Sequence, residues 1–175
     1  MAEWNWRFQK AGSLAILPAH MRLTELFAPE DLILDFTPVD KWDAVGRLVD
    51  HLAKRERIPE QECSTIREAV LARERSMSTG MEHGIAIPHA AVDAIENLAV
   101  ALGIVRSEGG LNFESIDGQP ARLVVLLVIP KAQKLLHIRT LADVARVLGK
   151  DSVREQLLGA ETPEAAWYAL RSGEA

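Results

Sequence analysis

The strongest constraint on the fold is an unbroken apolar run in the second half of the chain. Residues 123–129 are all leucine, valine or isoleucine, and Pro130 follows them. The run is far shorter than the roughly 18 residues that a membrane-spanning helix needs. Side chains of a strand point alternately to two faces, so a strand that is apolar throughout must be covered on both. The sequence therefore predicts a central strand that lies between two layers and ends at Pro130.

Further strand and helix signals surround this central strand. Strands are predicted at 32–36 and 98–105, with a short one around 111–113, and the apolar run 85–87 leads into Pro88. Capping and periodicity signals predict helices that begin after Asp40 and others at 59–73, 134–148, 151–158 and 163–171. Helices before, between and after strands predict an α/β fold, a single domain whose mixed β-sheet is flanked by helices on both faces.

Bulk composition excludes several classes of function. The chain has 175 residues, which suits one domain. Its net charge of -5 shows no excess of basic residues, so no nucleic-acid partner is expected. Cys63 is the only cysteine, which excludes an internal disulfide and a cysteine-based zinc site and suits a cytoplasmic protein. No direct insertion into a membrane is expected either.

The first twenty residues differ in character from the rest. Arg7 and Lys10 precede a short apolar stretch, 14–18, which is too short for a secretory signal and lacks a clear cleavage site. We therefore expect an N-terminal extension at 1–20 and the domain itself at 21–175.

His89 is the most suggestive of the five histidines. It follows Pro88, whose ring fixes its own φ and favours an extended conformation at Ile87, so the imidazole is held on a stiff backbone. Upstream, the sequence Ser78-Thr79-Gly80 offers hydroxyl and backbone N–H groups as an oxyanion cradle. Arg73 could supply the positive charge that a phosphoryl group needs. From these residues alone, a strand end capped by a hydrogen-bonded histidine is an equally good interpretation.

His137 is the second histidine of interest. It shares a helical stripe with Leu141, Val144 and Leu148, so its side chain should point inward near the start of the helix. The positive end of the helix dipole should lower the pKa of this imidazole.

Several motifs together resemble one known family. Arg73-Glu74, Ser78-Thr79-Gly80 and the sequence GIAIPHA at 84–90 are similar to the signature around the phosphorylated histidine of type 2 enzyme IIA domains of the bacterial phosphotransferase system. The resemblance covers about residues 21–171, and the sequence at 137–142 resembles the stretch that holds a second site histidine. The sequence DGQP at 117–120 is closer to the nitrogen-regulatory branch than to the mannitol branch.

The resemblance implies a phosphoryl relay. His89 would accept the group from an HPr-like phosphocarrier protein, with His137, Arg73 and the phosphate-binding residues Ser78, Thr79 and Gly80 assisting. A IIB domain or a regulatory target protein would be the acceptor, and no metal ion or other cofactor would be required. Partners are expected to dock on an apolar patch near His89, whose predicted members are Met77, Met81 and Ala90.

Three alternatives remain open at this point. A purely regulatory module could use phosphorylation of His89 to switch partner binding without any part in sugar transport. A metal hydrolase could use Glu82, His83, His89 and His137, although no known ligand spacing is present. The third alternative is a structural domain with a vestigial histidine.

Overall fold

The computed structural model describes residues 22–174. The predicted extension at 1–20 lies outside these residues, so its boundary with the domain stays a prediction. The six α-helices of the described part are α1 (Leu23–Leu26), α2 (Lys41–Lys54), α3 (Cys63–Ser76), α4 (Lys134–Leu148), α5 (Asp151–Gly159) and α6 (Pro163–Gly173). Its five strands are β1 (Leu32–Ile33), β2 (Ile85–Ala86), β3 (His89–Val92), β4 (Ala99–Ile104) and β5 (Leu123–Pro130).

The predicted central strand is β5. It pairs antiparallel with β4 on one side and parallel with both β2 and β3 on the other, while β1 pairs parallel with β4. Ile85 lies opposite Leu123 and His89 lies opposite Leu127, so β2 and β3 follow one register along β5. Together β2 and β3 form one strand position beside β5, and this strand is interrupted at Ile87 and Pro88. The prediction of a mixed sheet is confirmed.

The alternating side chains of β5 enter two separate cores. Leu123, Val125, Leu127 and Ile129 pack with helices α1, α4, α5 and α6. Val124, Leu126 and Val128 pack on the other face with α2 and α3. All eight positions of β5 are buried. Helices therefore cover both faces of the sheet, as predicted.

Local signals account for several helix boundaries. The Asp40 carboxylate accepts a hydrogen bond from the Asp43 N–H at 2.8 Å, so Asp40 caps α2 as predicted. The predicted helix at 134–148 is α4, with identical bounds. The helix that was predicted to open at Pro59 begins instead with a 3-10 turn at Glu60–Glu62, and its α-helical part starts at Cys63.

The predicted strand at 32–36 is shorter than expected. Its paired part is Leu32–Ile33, because Asp35 takes a φ of 52° and turns the chain. The N–H of Phe36 then donates to the Ile104 carbonyl at 2.9 Å. The strand predicted around 111–113 was also wrong, since only an isolated bridge joins Leu111 to Ala121.

Within residues 22–174, no helix is long and apolar enough to cross a membrane.

Replacing one leucine in the centre of β5 should test the two-sided core. Leu126 is fully buried, and Leu126→Ala should lower the free energy of unfolding by about 2–5 kcal/mol, because the lost side chain leaves a cavity. Urea denaturation followed by circular dichroism measures this change. Leu135→Ala is the matched control: Leu135 is 68% exposed, and its loss should change the stability by no more than about 0.5 kcal/mol. Equal effects of the two changes would contradict the described packing.

Candidate functional site

The break between β2 and β3 controls how His89 is held. Pro88 has no N–H, and the N–H of Ile87 donates to the Thr79 carbonyl at 3.1 Å. The carbonyl of Ile87 faces the His89 imidazole, with 2.7 Å between its oxygen and Nδ1. A carbonyl oxygen can only accept a hydrogen bond, so Nδ1 carries the proton in the neutral ring. Nε2 of His89 is therefore left with its lone pair.

His137 is an aromatic neighbour of His89. It lies in the first turns of α4, and the two ring centroids are 5.2 Å apart with an interplanar angle of 65°. The Nε2 atom of His137 is buried and has no hydrogen-bond partner among residues 22–174. A buried polar atom without a partner is uncommon, and this nitrogen is free to hydrogen-bond with an incoming polar group. Sequence reasoning placed this side chain inward, and the structure brings it to His89.

Arg73 supplies positive charge to both histidines from the end of α3. Its Nη1 donates to the Met77 carbonyl at 2.8 Å. Burial lowers the pKa of His89, and this outweighs the raising effect of its hydrogen bond to Ile87; the charge of Arg73 lowers the pKa further. Burial and then Arg73 also lower the pKa of His137. The predicted direction for His137 agrees with the effects of burial and Arg73. Neutral pH therefore favours two neutral imidazoles beside one cation.

The loop of Ser78, Thr79 and Gly80 lies beside β2, but its donors already have protein acceptors. The Ser78 hydroxyl donates to the Phe113 carbonyl, and the Gly80 N–H donates to Ser78 Oγ at 3.2 Å. The N–H and hydroxyl of Thr79 both donate to one Glu74 oxygen, at 3.0 and 2.5 Å. Direct binding of phosphate by these three residues stays a prediction. In this structure they hold the loop against Ile87.

Gly80 has a steric role in this loop. A Cβ at this position would lie 2.5 Å from the Phe113 carbonyl oxygen, closer than real Cβ atoms approach a backbone atom. The loop can therefore pack against Phe113 only with glycine here.

Glu74 is the site-adjacent residue to which sequence reasoning gave no role. Its side chain is fully buried and accepts hydrogen bonds from Thr79 and Lys41. The signal was present in the spacing: Ile66, Val70 and Glu74 follow one another at four-residue steps on the buried face of α3. A carboxylate on an apolar stripe needs partners, and that requirement identifies it.

The predicted apolar docking patch is partly wrong. Met77 is 69% exposed, but Met81 packs against one core and Ala90 is buried in the other. Ala90 points away from the surface because it alternates with His89 along β3 and faces α3. Leu135 and Ile138, which flank His137 on α4, are exposed instead.

Glu82 and His83 do not form a metal centre with the two site histidines. Both are exposed, and 4.0 Å separates His83 Nε2 from the Glu82 carboxylate. Among the described residues, no three His, Cys, Asp or Glu side chains are grouped to hold a metal ion. The described part of the chain therefore shows no metal site of the kind that a metal hydrolase would need.

Arg73→Gln should raise the pKa of both His89 and His137, because it removes the cation that disfavours the imidazolium forms. In the unchanged protein, both should titrate below the ordinary value of 6.5. Proton NMR of the imidazole ring signals against pH measures the two midpoints. Arg75→Gln is the control, since Arg75 lies on the same helix, is exposed and pairs with Glu68. Midpoints that do not move in Arg73→Gln would contradict the electrostatic description.

Comparison with known proteins agrees with the resemblance. The profile of the family described as "Phosphoenolpyruvate-dependent sugar phosphotransferase system, EIIA 2" matches residues 25–173. The chain is 34% identical over 145 residues to the fructose-specific EIIABC component of Bacillus subtilis, a match that covers 83% of this chain and 22% of that protein. It thus spans about a fifth of that relative's length. It is 31% identical over 150 residues to the nitrogen regulatory protein of Pseudomonas aeruginosa, covering 86% of this chain and 95% of the relative.

Solved structures share the fold. The nitrogen regulatory protein IIA-Ntr of Neisseria meningitidis superposes with a TM-score of 0.76 at 24% identity, covering 85% of this chain and 98% of that one. The enzyme IIA of the mannitol system of Escherichia coli, solved in complex with phosphorylated enzyme IIB, gives a TM-score of 0.69 at 21% identity and covers 83% and 97%. With its profile match, its relatives and its fold in agreement, the chain belongs to the EIIA 2 family of the phosphoenolpyruvate-dependent sugar phosphotransferase system.

Proposed function

We propose that this protein carries a phosphoryl group on Nε2 of His89, received from an HPr-like phosphocarrier protein. The hydrogen bond from His89 Nδ1 to the Ile87 carbonyl carries the proposal, because it keeps the proton on Nδ1 and leaves the lone pair on Nε2. That lone pair attacks phosphorus, a nitrogen–phosphorus bond forms, and the bond between phosphorus and the donor side chain breaks. The proton stays on Nδ1 throughout, hydrogen-bonded to the Ile87 carbonyl, and the donor leaves with the electron pair of its broken bond.

Arg73 and His137 are the proposed assistants. Phosphoryl transfer depends on positioning and on stabilisation of the negative charge on the transferred group. Arg73 is the cation that acts on both imidazoles. His137 presents a buried Nε2 that has no partner among residues 22–174, and in its protonated tautomer this atom would donate to a phosphoryl oxygen. His137 therefore orients the group without bonding to it covalently.

Two onward uses of the phosphoryl group are consistent with the family. One is transfer to a IIB domain, because the mannitol enzyme IIA with the same fold was solved with phosphorylated IIB. The other is a regulatory signal, which the similarity to the Pseudomonas nitrogen regulatory protein favours. A phosphoryl group adds up to about two negative charges at the surface, enough to change which partner docks there. A neighbouring gene for a sugar permease would favour transport, and a regulatory gene context would favour signalling.

Donor and acceptor are proposed to dock on the exposed apolar side chains nearest the histidines, which are Met77, Leu135 and Ile138. As complexes of a relay, they should be transient and bury less than about 1,200 Å² in total. The relay operates in the cytoplasm, where phosphoenolpyruvate is available.

His89→Ala should abolish phosphorylation. The protein is incubated with phosphoenolpyruvate, enzyme I and the phosphocarrier protein, and its intact mass is measured at neutral to alkaline pH. The unchanged protein should gain one acid-labile phosphoryl group, and the variant should gain none because the accepting nitrogen is missing. His83→Ala is the matched control, since His83 lies in the neighbouring exposed turn and should leave the label in place. A label that survives in His89→Ala would refute the assignment.

His137→Ala should slow phosphoryl transfer while leaving His89 able to accept the group. A decrease of about 10- to 1000-fold is expected, which is the scale for removing one positioned stabilising donor. Rapid-quench measurements of transfer in both directions give the rates, and circular dichroism checks the fold. Arg146→Gln, an exposed change further along α4, should leave the rates unchanged. Equal rates for His137→Ala and the unchanged protein would reduce His137 to a packing residue.

A further inference from the structure

A buried ion pair lies behind the loop that contacts Ile87. The side chain of Glu74 is fully buried, and that of Lys41 is 10% exposed, with 3.4 Å between Lys41 Nζ and Glu74 Oε1. Lys41 is the first residue of α2, and Glu74 lies near the end of α3, so the pair joins the two helices of one face. Taking two charges out of water is costly, and such a pair is weak support for stability by itself. Its partners indicate what else it does.

Glu74 fixes Thr79 through two separate bonds. Its Oε2 atom accepts from the Thr79 N–H at 3.0 Å and from the Thr79 hydroxyl at 2.5 Å. Its Oε1 atom accepts from Lys41 and lies 3.3 Å from the oxygen of the Ser78 hydroxyl, whose proton is directed to the Phe113 carbonyl. A carboxylate that accepts several hydrogen bonds in a buried setting allows little movement of the donors. The backbone of Thr79 is thereby held at a defined position.

Thr79 in turn fixes the acceptor of His89. The Thr79 carbonyl accepts the N–H of Ile87 at 3.1 Å, and the Ile87 carbonyl accepts the Nδ1–H of His89 at 2.7 Å. An unbroken series of hydrogen bonds therefore runs from Lys41 through Glu74, Thr79 and Ile87 to the imidazole. Every neighbouring pair in the series is within 3.4 Å.

We propose that Glu74, neutralised by Lys41, is a positioning residue that fixes the tautomer and orientation of the His89 imidazole through Thr79 and Ile87. The proposal rests on the proposed function of His89, and it adds a role for two residues that do not touch the phosphoryl group. The site needs a carboxylate because a neutral side chain cannot accept from both Thr79 donors and Lys41 at once.

The charge of Glu74 also acts directly on His89. It raises the pKa of the imidazole, against the larger effect of burial and the opposing charges of Arg73 and His137. These are the charged and titratable groups that act on His89 from α3 and α4. Removing the carboxylate should therefore lower the pKa of His89, which is the opposite of the change expected for Arg73→Gln.

The test compares Glu74→Gln with the double variant Glu74→Gln/Lys41→Met, which leaves no unpaired buried charge. Nitrogen chemical shifts of the His89 ring report the tautomer, NMR titration reports its pKa, and rapid quench reports phosphoryl transfer. In both variants we expect a mixture of tautomers, a lower pKa for His89 and transfer slowed by about 10- to 100-fold, the scale for losing an outer partner that orients a functional histidine. Thr79→Val, which removes one hydroxyl bond at nearly constant volume, should shift the tautomer in the same direction by less.

Glu68→Gln is the matched control, because Glu68 lies on the same helix, is exposed and pairs with Arg75. It should leave the tautomer, the pKa and the transfer rate of His89 unchanged. If the double variant and Thr79→Val fold and all three quantities equal those of the unchanged protein, the ion pair is structural only and the proposal is overturned. The nitrogen shifts and the pKa are measured on unphosphorylated protein. A chain that never accepts phosphate would therefore refute the proposed function and leave this test intact.

Discussion

Burial of β5 on both faces is the constraint from which the site follows. Side chains that alternate between two apolar faces require helices on each side, and the structure provides α2 and α3 on one and α4 to α6 on the other. The interrupted strand of β2 and β3 pairs parallel with β5 and brings His89 opposite Leu127. His89 therefore lies where the end of α3 and the start of α4 come near the same strand. Arg73 and His137 reach it from these two helices.

The electrostatics of the site depend on a charged Arg73 beside two neutral imidazoles, those of His89 and His137. Burial and Arg73 act in the same direction on both imidazoles, so the pKa of each is lowered and the guanidinium stays the permanent cation. A neutral imidazole is a nucleophile, whereas an imidazolium is not. Glu74 opposes Arg73 at His89, but Lys41 balances its charge and one of its oxygens accepts both hydrogen bonds from Thr79. In the proposed function, Arg73 can therefore attract the phosphoryl group while His89 stays neutral and nucleophilic.

The sequence predicted most strongly those parts that follow from periodic patterns. The bounds of α4, the cap at Asp40 and the layers on both sides of β5 come from local spacing, which acts over a few residues. The convergence of His89 and His137 needed the family resemblance, because 48 positions in sequence carry no information about distance in space. The roles of Thr79 and Glu74 could not be predicted for the same reason: which acceptor a hydroxyl uses depends on where the loop packs. Ala90 was misplaced because one step along a strand reverses the face.

The interrupted strand of β2 and β3 is also one of the two outer strands of the sheet in the described part of the chain, since β5 is the only strand with which it pairs. An outer strand with free N–H and C=O groups can recruit a strand from another molecule and start aggregation. Here the loop covers part of that edge, with Met81 bonded to Ile85 and Ile87 bonded to Thr79. Pro88 then interrupts the row of donors, as prolines on sheet edges do. The residues that hold the imidazole thus also protect the chain against self-association through this edge.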